Sequence, residues 1–230
     1  MRIDCNNVSF SYPGSDIAII KNLSFSMAAP GFNALFGPSG VGKTSLAKLI
    51  ANMSMMSDGR ISTLQIDTIF YSYNLERLPG WSSTGTHLEK VTPKGKEKLR
   101  ERLVDIFKLK NVLGSRFPQL SMGQQNRINL IRYLLQDFDL LILDESLANV
   151  DEKLREVIIL AMKDIFKNKM FLYISHNLME VSKFCHQILV FGTSKKASDN
   201  FMVTGQNYEL NYTLDKQKLD HTMLEIMNAF

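Results

Sequence analysis

GPSGVGKT, residues 37–44, matches the spacing G-x-x-x-x-G-K-S/T. Its glycines let the backbone curl so that successive N–H groups converge on phosphate oxygens. Residues 32–36 form an apolar run typical of a short buried strand, and residues 43–52 have a helical pattern. The N-terminus of that helix adds its partial positive charge to the phosphate site. The stretch therefore predicts a bound nucleoside triphosphate, and its alternative is a chance glycine-rich turn between a strand and a helix.

Two side chains of this loop have predicted chemical roles. Lys43 is predicted to hold the β- and γ-phosphates, and Thr44 to offer a hydroxyl to Mg²⁺, the usual arrangement in P-loop NTPases. The predicted nucleotide contacts cover the loop and the first helical turn: Gly37, Pro38, Ser39, Gly40, Val41, Gly42, Lys43, Thr44 and Ser45. The loop alone does not say which NTPase this is.

A second apolar run, residues 138–143, ends in the adjacent acids Asp144 and Glu145. Such runs are typical of strands buried on both faces of a sheet. Ligands of α/β sheets bind beyond the carboxyl ends of the strands, so we expect both acids beside the phosphate loop. Asp144 is then predicted to order Mg²⁺ and Glu145 to polarise an attacking water. The alternative is an ordinary strand end capped by two solvated acids.

LSMGQQ, residues 120–125, precedes a third helical pattern. Apolar residues follow it at helical spacing: Ile128, Ile131, Leu134 and Leu135. Ser121 and Gln124 have the spacing of a capping box. A helix that begins there offers free N–H groups and a positive dipole end, which suit a second anion-binding surface. Many helices begin with S-x-x-Q, so this pattern has little meaning by itself.

Together these segments resemble the ATP-binding cassette (ABC) family of transport ATPases, whose signature is L-S-G-G-Q. The resemblance covers nearly the whole chain, and its motifs stand in the family's order. It implies an α/β fold of the P-loop NTPase type, with a mainly parallel core sheet, an N-terminal antiparallel β region and an inserted helical subdomain. We expect one domain over residues 1–230, with the helical subdomain at about residues 76–126.

The resemblance assigns roles to three further residues. Tyr12 stands where the family stacks an aromatic ring on adenine, although its alternation with Val8 and Phe10 is also typical of one strand face. Asp151 occupies the place of the family's D-loop, and it also fits a helix N-cap. His176 follows the strand-like residues 170–175 at the place of the switch histidine, near the γ-phosphate. A histidine after a strand can also be purely structural.

Three departures from the family pattern bear on turnover. Met122 replaces the first signature glycine, and its side chain could crowd the opposing nucleotide. Asn74 stands after residues 68–73 in place of a glutamine that touches Mg²⁺ and water, and it is shorter by one methylene. Ser146 replaces a proline, which we expect to be tolerated. Because Lys43 and Glu145 remain, we predict an active ATPase with ATP and Mg²⁺ as cofactors.

The resemblance also implies partners. One cassette's signature completes the ATP site of another, so we expect a head-to-tail dimer with a second copy or a homologous cassette. Ser121, Gly123 and Gln124 would then act on the partner's γ-phosphate. An integral membrane permease would bind the cassette at the cytoplasmic face of the membrane, and a substrate-binding protein would act indirectly. The alternative is an ATP-dependent regulatory or scaffold protein with weak or absent hydrolysis.

ERLPGW, residues 76–81, is similar to a run in the ATPases of the nitrate, sulfonate, taurine and thiamine-precursor importers. The sequence therefore predicts a small-solute importer, although the transported substrate is chosen by other subunits. The predicted groove for a permease helix is lined by Asn74, Leu75, Arg77, Leu78 and Trp81. Trp81 could instead be a core anchor.

Composition agrees with a compact cytoplasmic domain. The chain has 230 residues, 45% of them hydrophobic, and a formal net charge of +4. Its basic residues are scattered, so we expect no nucleic-acid partner. No apolar run approaches the roughly 20 residues that span a bilayer, so we expect a soluble chain. Cys5 and Cys185 lack C-x-x-C spacing and are expected to be free buried thiols.

Outside the motifs the pattern is simpler. Residues 2–28 are expected to form antiparallel strands around the Pro13-Gly14 turn, and residues 94–107 to contain an amphipathic helix. Residues 194–200 are turn-rich, residues 201–214 are expected to form a hairpin, and residues 216–227 a closing helix.

Overall fold

The strands that carry the predicted site residues are short, apolar and packed into one sheet. The computed structural model describes residues 1–28, 30–74, 76–78, 80–192, 200–210 and 212–228. In these residues the strands are β1 (Arg2–Ser11), β2 (Ala18–Ala28), β3 (Gly31–Phe36), β4 (Asp58–Leu64), β5 (Ile69–Tyr73), β6 (Leu140–Asp144), β7 (Met170–Ile174), β8 (Gln187–Val190) and β9 (Phe201–Thr204). The helices are α1 (Lys43–Ile50), α2 (Thr84–Val91), α3 (Glu97–Ile106), α4 (Met122–Leu134), α5 (Glu152–Ile165), α6 (Leu178–Phe184) and α7 (Lys216–Met227).

The main sheet has the strand order β5-β6-β7-β3-β8-β9. All neighbours are parallel except β9, which runs antiparallel to β8. Leu141 and Leu143 of β6 pack into one hydrophobic cluster, while Leu140 and Ile142 pack into the other. Because both faces of β6 are covered, its sequence is apolar at every position before Asp144. This confirms the mainly parallel core sheet.

The N-terminal region is an antiparallel sheet of order β2-β1-β4. The pairing of β1 with β2 was expected, and the pairing of β4 with the other edge of β1 was not. The residues of β4 are exposed or half-buried, so they show no alternation of apolar and polar side chains. Backbone pairing rather than side-chain burial therefore places this strand.

The C-terminal region corrects one prediction. Residues 201–214 do not form a hairpin, because β9 pairs with β8. The chain after β9 instead lies against α6: Gln206 N donates to Ser182 O at 2.8 Å, and Tyr208 N donates to Lys183 O at 2.8 Å. The edge of β8 thus pairs with β9 in place of the residues that follow β9 in sequence. Helix α7 has the predicted bounds, and the turn predicted at residues 194–200 lies almost wholly outside the described residues.

Three further expectations concern burial. The amphipathic helix is α3, and Leu103 and Phe107 are fully buried against the core. Cys5 and Cys185 are buried free thiols, and burial raises the pKa of each to about 12. Within the described part of the chain, no helix combines the length and the apolar character that crossing a bilayer requires.

Candidate nucleotide-binding site

The glycine-rich loop joins β3 to α1 and is tightly confined by its neighbours. Gly42 caps α1 with a φ of 104°, and a Cβ there would lie 3.0 Å from Ile19. Gly37 has a φ of 153°, and a Cβ there would lie 2.9 Å from Phe191. Only glycine fits such left-handed angles without strain. The loop therefore passes between β2 and the end of β8 in a shape that other residues would distort.

Lys43 lies inside the curve of this loop. Its ammonium donates hydrogen bonds to Gly37 O at 2.8 Å and to Pro38 O at 2.6 Å. Burial lowers the pKa of Lys43, and the nearby charges of Glu145 and Asp144 oppose that change. A cation is thus held at the centre of a ring of backbone groups, where the phosphates of a nucleotide were predicted.

Asp144 ends β6 on the face of the sheet that α1 covers. Thr44 Oγ1 donates to Asp144 Oδ2 at 2.9 Å, and the Tyr71 hydroxyl donates to the same oxygen. Asp144 is only 9% exposed. Burial and the Asp144 contact both raise the pKa of Tyr71, so it stays a donor. The sequence interpretation missed Tyr71, because its position in an apolar strand gave no sign of which acid it would face.

A cavity of about 440 Å³ opens beside these groups. Its lining includes Thr44, Tyr71, Asn74, Asp144 and Glu145. Hydroxyl, carboxylate and amide oxygens are the donors that Mg²⁺ prefers, so this set of residues fits a magnesium ion.

Asn74 follows β5 and lies at the edge of the same cavity. Its amide oxygen accepts a hydrogen bond from Asn126 Nδ2 at 2.7 Å, and Asn126 also donates to Ala148 O at 3.1 Å. Asn126 thereby connects the loop after β5, helix α4 and the loop after β6. The sequence analysis missed Asn126, although a polar residue among the inward-facing apolar positions of α4 was a usable signal.

Glu145 and His176 meet at the carboxyl ends of β6 and β7. These strands are paired so that Asp144 lies opposite Ile174. Glu145 has a left-handed φ of 53°, which turns its side chain away from the strand direction. His176 Nε2 lies 2.6 Å from Glu145 Oε1. Two residues that are far apart in sequence therefore form one acid–imidazole pair.

A second cavity of about 280 Å³ brings the loop and this pair together. Its lining includes residues of the loop, with Tyr12, Glu145 and His176. Tyr12 lies just beyond β1, is 49% exposed, and has its hydroxyl 2.9 Å from Ser45 Oγ. An exposed ring at this point is available for stacking on a base.

The signature segment lies elsewhere. Ser121 and Gln124 form the predicted capping box: Ser121 Oγ accepts from Gln124 N, and Gln124 Oε1 accepts from Ser121 N at 2.9 Å. Neither residue lines the two cavities described above. Gly123 packs against the loop after β6, and a Cβ there would lie 2.1 Å from Asn149 O. Met122 is half exposed on the first turn of α4.

Three other predicted residues are placed as follows. Asp151 is the N-cap of α5 and accepts from Leu154 N at 3.0 Å. Ser146 is buried and donates to Ser72 O at 2.8 Å, so it occupies a satisfied position. Trp81 is 80% exposed, which corrects the interpretation of Trp81 as a core anchor. Leu75 of the predicted groove lies outside the described residues.

Comparison with known proteins identifies the family. The sequence profile of the family described as "ABC transporter" matches residues 20–148, more than half of the chain. The ATP-dependent lipid A-core flippases of Shigella sonnei (strain Ss046) and Escherichia coli (strain K12) are 27% and 28% identical to this chain over 203 residues. These alignments cover 79% of this chain and 35% of each flippase, so the chain spans about a third of these relatives.

Two solved structures have a similar fold. A bacterial Atm1-family ABC exporter with ATP bound superposes with a TM-score of 0.71 at 22% identity, over 83% of this chain and 37% of that one. A metal-chelate type ABC transporter in an inward-facing conformation gives a TM-score of 0.70 at 18% identity, over 89% of this chain and 84% of that one. The predicted cassette fold is therefore confirmed.

Proposed function

Because this chain belongs to the ABC transporter family, whose cassettes are ATPases, we propose that it binds ATP at residues 37–45 and hydrolyses it to drive a membrane permease. The observation that carries this proposal is the Glu145–His176 pair at 2.6 Å, in the same cavity as Lys43 and Thr44. A phosphate-binding loop alone supports nucleotide binding. An acid–imidazole pair facing that loop supports hydrolysis.

The loop and its lysine bind the phosphates. Lys43 would exchange its two loop carbonyls for phosphate oxygens, and its position inside the loop favours that exchange. Thr44, Asp144 and Asn74 would hold Mg²⁺, which supplies charge neutralisation on the phosphates when it is bound. The exposed ring of Tyr12 would stack on the adenine.

Glu145 is the base of the proposed reaction. Its carboxylate would accept a proton from water as that water attacks the γ-phosphorus. His176 would orient Glu145 and contact the γ-phosphate from the side of β7. The hydrogen bond between them keeps the carboxylate at the cavity rather than in bulk solvent.

A second cassette would complete the site. Ser121, Gly123 and Gln124 lie at the N-terminus of α4, where Ser121 and Gln124 form the capping box, and the positive dipole end of such a helix suits the γ-phosphate of a partner. Asp151 would lie near the same interface. The exposed Arg77 and Trp81 would contact a permease beside Asn74 and Leu78.

The predicted direction of transport depends on one short segment of the chain. Import, and with it a substrate-binding protein, rests on residues 76–81 alone. The two relatives described above that align at 27% and 28% identity are named as flippases. They favour an outward or leaflet-to-leaflet step over import, and they give no support to a substrate-binding protein.

The proposal is tested by Glu145→Gln, which keeps the size of the side chain and removes the base. Its kcat for phosphate release from Mg-ATP should fall at least about 100-fold while ATP affinity is retained. Glu101→Gln makes the same chemical change on the exposed face of α3 and should leave both quantities unchanged.

Two results would contradict the proposal. A Glu145→Gln protein that hydrolysed ATP at the normal rate would exclude Glu145 as the base. Tight ATP binding without turnover in the wild type, with turnover gained by Met122→Gly, would support the regulatory or scaffold alternative.

A further inference from the structure

A buried carboxylate, Glu180, is hydrogen-bonded to both chain neighbours of His176 and takes part in none of the contacts described so far. Glu180 of α6 is only 5% exposed. Its Oε2 accepts from the Tyr173 hydroxyl at 2.9 Å and from Ser175 Oγ at 3.3 Å. Its Oε1 accepts from Asn177 Nδ2 at 3.2 Å and forms an ion pair with Arg155. Four side chains therefore converge on one carboxylate.

Two of these partners flank His176 in sequence. Ser175 and Asn177 both donate to Glu180, Asn177 N also donates to Ser175 Oγ at 3.1 Å, and Asn177 Oδ1 accepts from Glu180 N at 3.2 Å. The short segment that carries His176 is thus held by Glu180 through the residues on both sides of the histidine. His176 itself contacts Glu145.

Of the other two partners, Tyr173 lies on β7 and Arg155 connects this segment to a different helix. Arg155 lies in the first turns of α5, and its backbone N–H donates to the carbonyl of the N-cap Asp151 at 2.9 Å. A cavity of about 570 Å³ runs from Glu145 and His176 to Arg155. The network therefore forms one wall of the space between the acid–imidazole pair and the start of α5.

A buried ion pair is weak evidence for stability, because desolvation of the two charges offsets most of their attraction. The hydrogen bonds that Glu180 accepts from Tyr173, Ser175 and Asn177 do, however, fix the geometry of the groups that form them, while Arg155 adds an ion pair without hydrogen-bond geometry. We propose that Glu180 is a positioning residue, which holds His176 against Glu145 and makes the His176 segment move together with the Asp151 end of α5. This inference rests on the proposed ATPase function.

Glu180→Gln tests the proposal, because it keeps most of the size and removes the charge that pairs with Arg155. Glu156→Gln is a matched control. Glu156 Oε1 accepts a hydrogen bond from Lys183 Nζ at 2.7 Å, and this ion pair also connects α5 to α6 but does not involve the residues beside His176. Glu180→Gln should lower kcat about tenfold with little change in KM, as expected for a small displacement of a reacting group. Glu156→Gln should stay within about twofold of the wild type.

The decisive experiment measures the single-turnover rate of ATP hydrolysis in His176→Ala and in the double variant that also carries Glu180→Gln. If Glu180 acts through His176, then Glu180→Gln causes no further loss once His176 is gone. A further tenfold loss in the double variant would overturn the proposal, and so would an equal effect of Glu156→Gln. Tyr173→Phe removes one donor and keeps the ion pair, so it should give a smaller loss in the same direction if Glu180→Gln folds poorly.

Amide hydrogen exchange separates this proposal from the proposed function, because it needs neither ATP nor turnover. Glu180→Gln should speed exchange at residues 175–178 and 152–155, and Glu156→Gln should not. Unchanged exchange at both segments in Glu180→Gln would overturn the proposal even in an active enzyme. Inactivity of the wild type would refute the ATPase function and leave the exchange result to decide the positioning role.

Discussion

A single carboxylate oxygen, Oδ2 of Asp144, accepts hydrogen bonds from two hydroxyls on different elements. Thr44 approaches from α1, and Tyr71 from β5. A carboxylate oxygen has room for two such donors, and both together fix the rotation of the group. Asp144 is therefore oriented before any ligand binds.

Tyr71→Phe should weaken the binding of Mg²⁺, because it frees Asp144 to rotate away from Thr44. We expect the Mg²⁺ concentration for half-maximal ATP hydrolysis to rise about tenfold, the usual scale for loss of a group that orients a metal ligand. Tyr212→Phe is the control, since it makes the same change on an exposed side chain that lines neither cavity of the site. An unchanged or lower Mg²⁺ requirement in Tyr71→Phe would contradict this role.

At the scale of residues, the sequence predicts the residues within motifs but not the residues that hydrogen-bond to them. The spacing of the loop predicted Lys43 and Thr44, because the chemistry of phosphate binding prescribes both residue types. Tyr71 and Asn126 were missed because their contacts depend on which side chains face each other across neighbouring elements. The polar position of Asn126 in α4 was a local signal, but the side chains that each residue faces are not encoded by any local pattern.

At the scale of elements, Lys163 explains the path of the chain after β9. This lysine lies on α5, and its buried ammonium donates to Phe184 O at 3.0 Å, Asn207 Oδ1 at 2.8 Å and Tyr208 O at 2.7 Å. Helix α5 thus binds both the end of α6 and the segment that follows β9. The predicted hairpin over residues 201–214 does not form, because Lys163 holds the segment after β9 that would have supplied its second strand.

Lys163→Met should lower the free energy of unfolding by about 2–4 kcal/mol, because it leaves three acceptors without their donor. Lys167→Met, on the exposed side of the same helical region, should change it by less than about 0.5 kcal/mol. Urea unfolding at pH 7 measures both values. A cost for Lys163→Met no larger than that of Lys167→Met would contradict the clamp.

The difference in unfolding free energy between the wild type and Lys163→Met should depend on pH. Burial lowers the pKa of Lys163 from 10.5 to about 8. Between these values the unfolded chain binds the proton more than the folded chain does, so this group increasingly favours folding as the pH rises. The stability of the wild type relative to Lys163→Met should therefore increase from pH 8 to pH 10, and an unchanged or falling difference would contradict the lowered pKa of Lys163.

At the scale of the whole molecule, the residues of the proposed site lie in two places on one chain. The loop and the Glu145–His176 pair share a cavity, while Ser121 and Gln124 lie at the start of α4. Two copies related by a twofold axis would bring each signature to the other's loop. The order of the motifs predicted the fold.

Strand β4 was not predicted, because its side chains are exposed or half-buried and therefore show no hydrophobic pattern.

Met122→Glu tests the proposed twofold dimer. The protein with Glu145→Gln should dimerise in Mg-ATP, and adding Met122→Glu should abolish the dimer by placing a negative charge against the partner's γ-phosphate. An acid in the first turn favours the helix, so folding should be intact. Gln217→Glu makes a similar change in the first turn of α7 and should leave the dimer intact. Sedimentation velocity measures the outcome, and a dimer that survives Met122→Glu would contradict the proposed interface.

The position of β7 between β3 and β6 determines when the core of the sheet can form as the chain is synthesised. Strand β3 leaves the ribosome early, yet both of its neighbours, β7 and β8, begin at or after Met170. A nascent chain that ends before β7 carries the glycine-rich loop on a strand with two unpaired edges. Such edges are prone to wrong pairing. Strand β3 therefore has neither of its partners until the chain from Met170 onward emerges, so we expect nucleotide binding at the loop only late in folding.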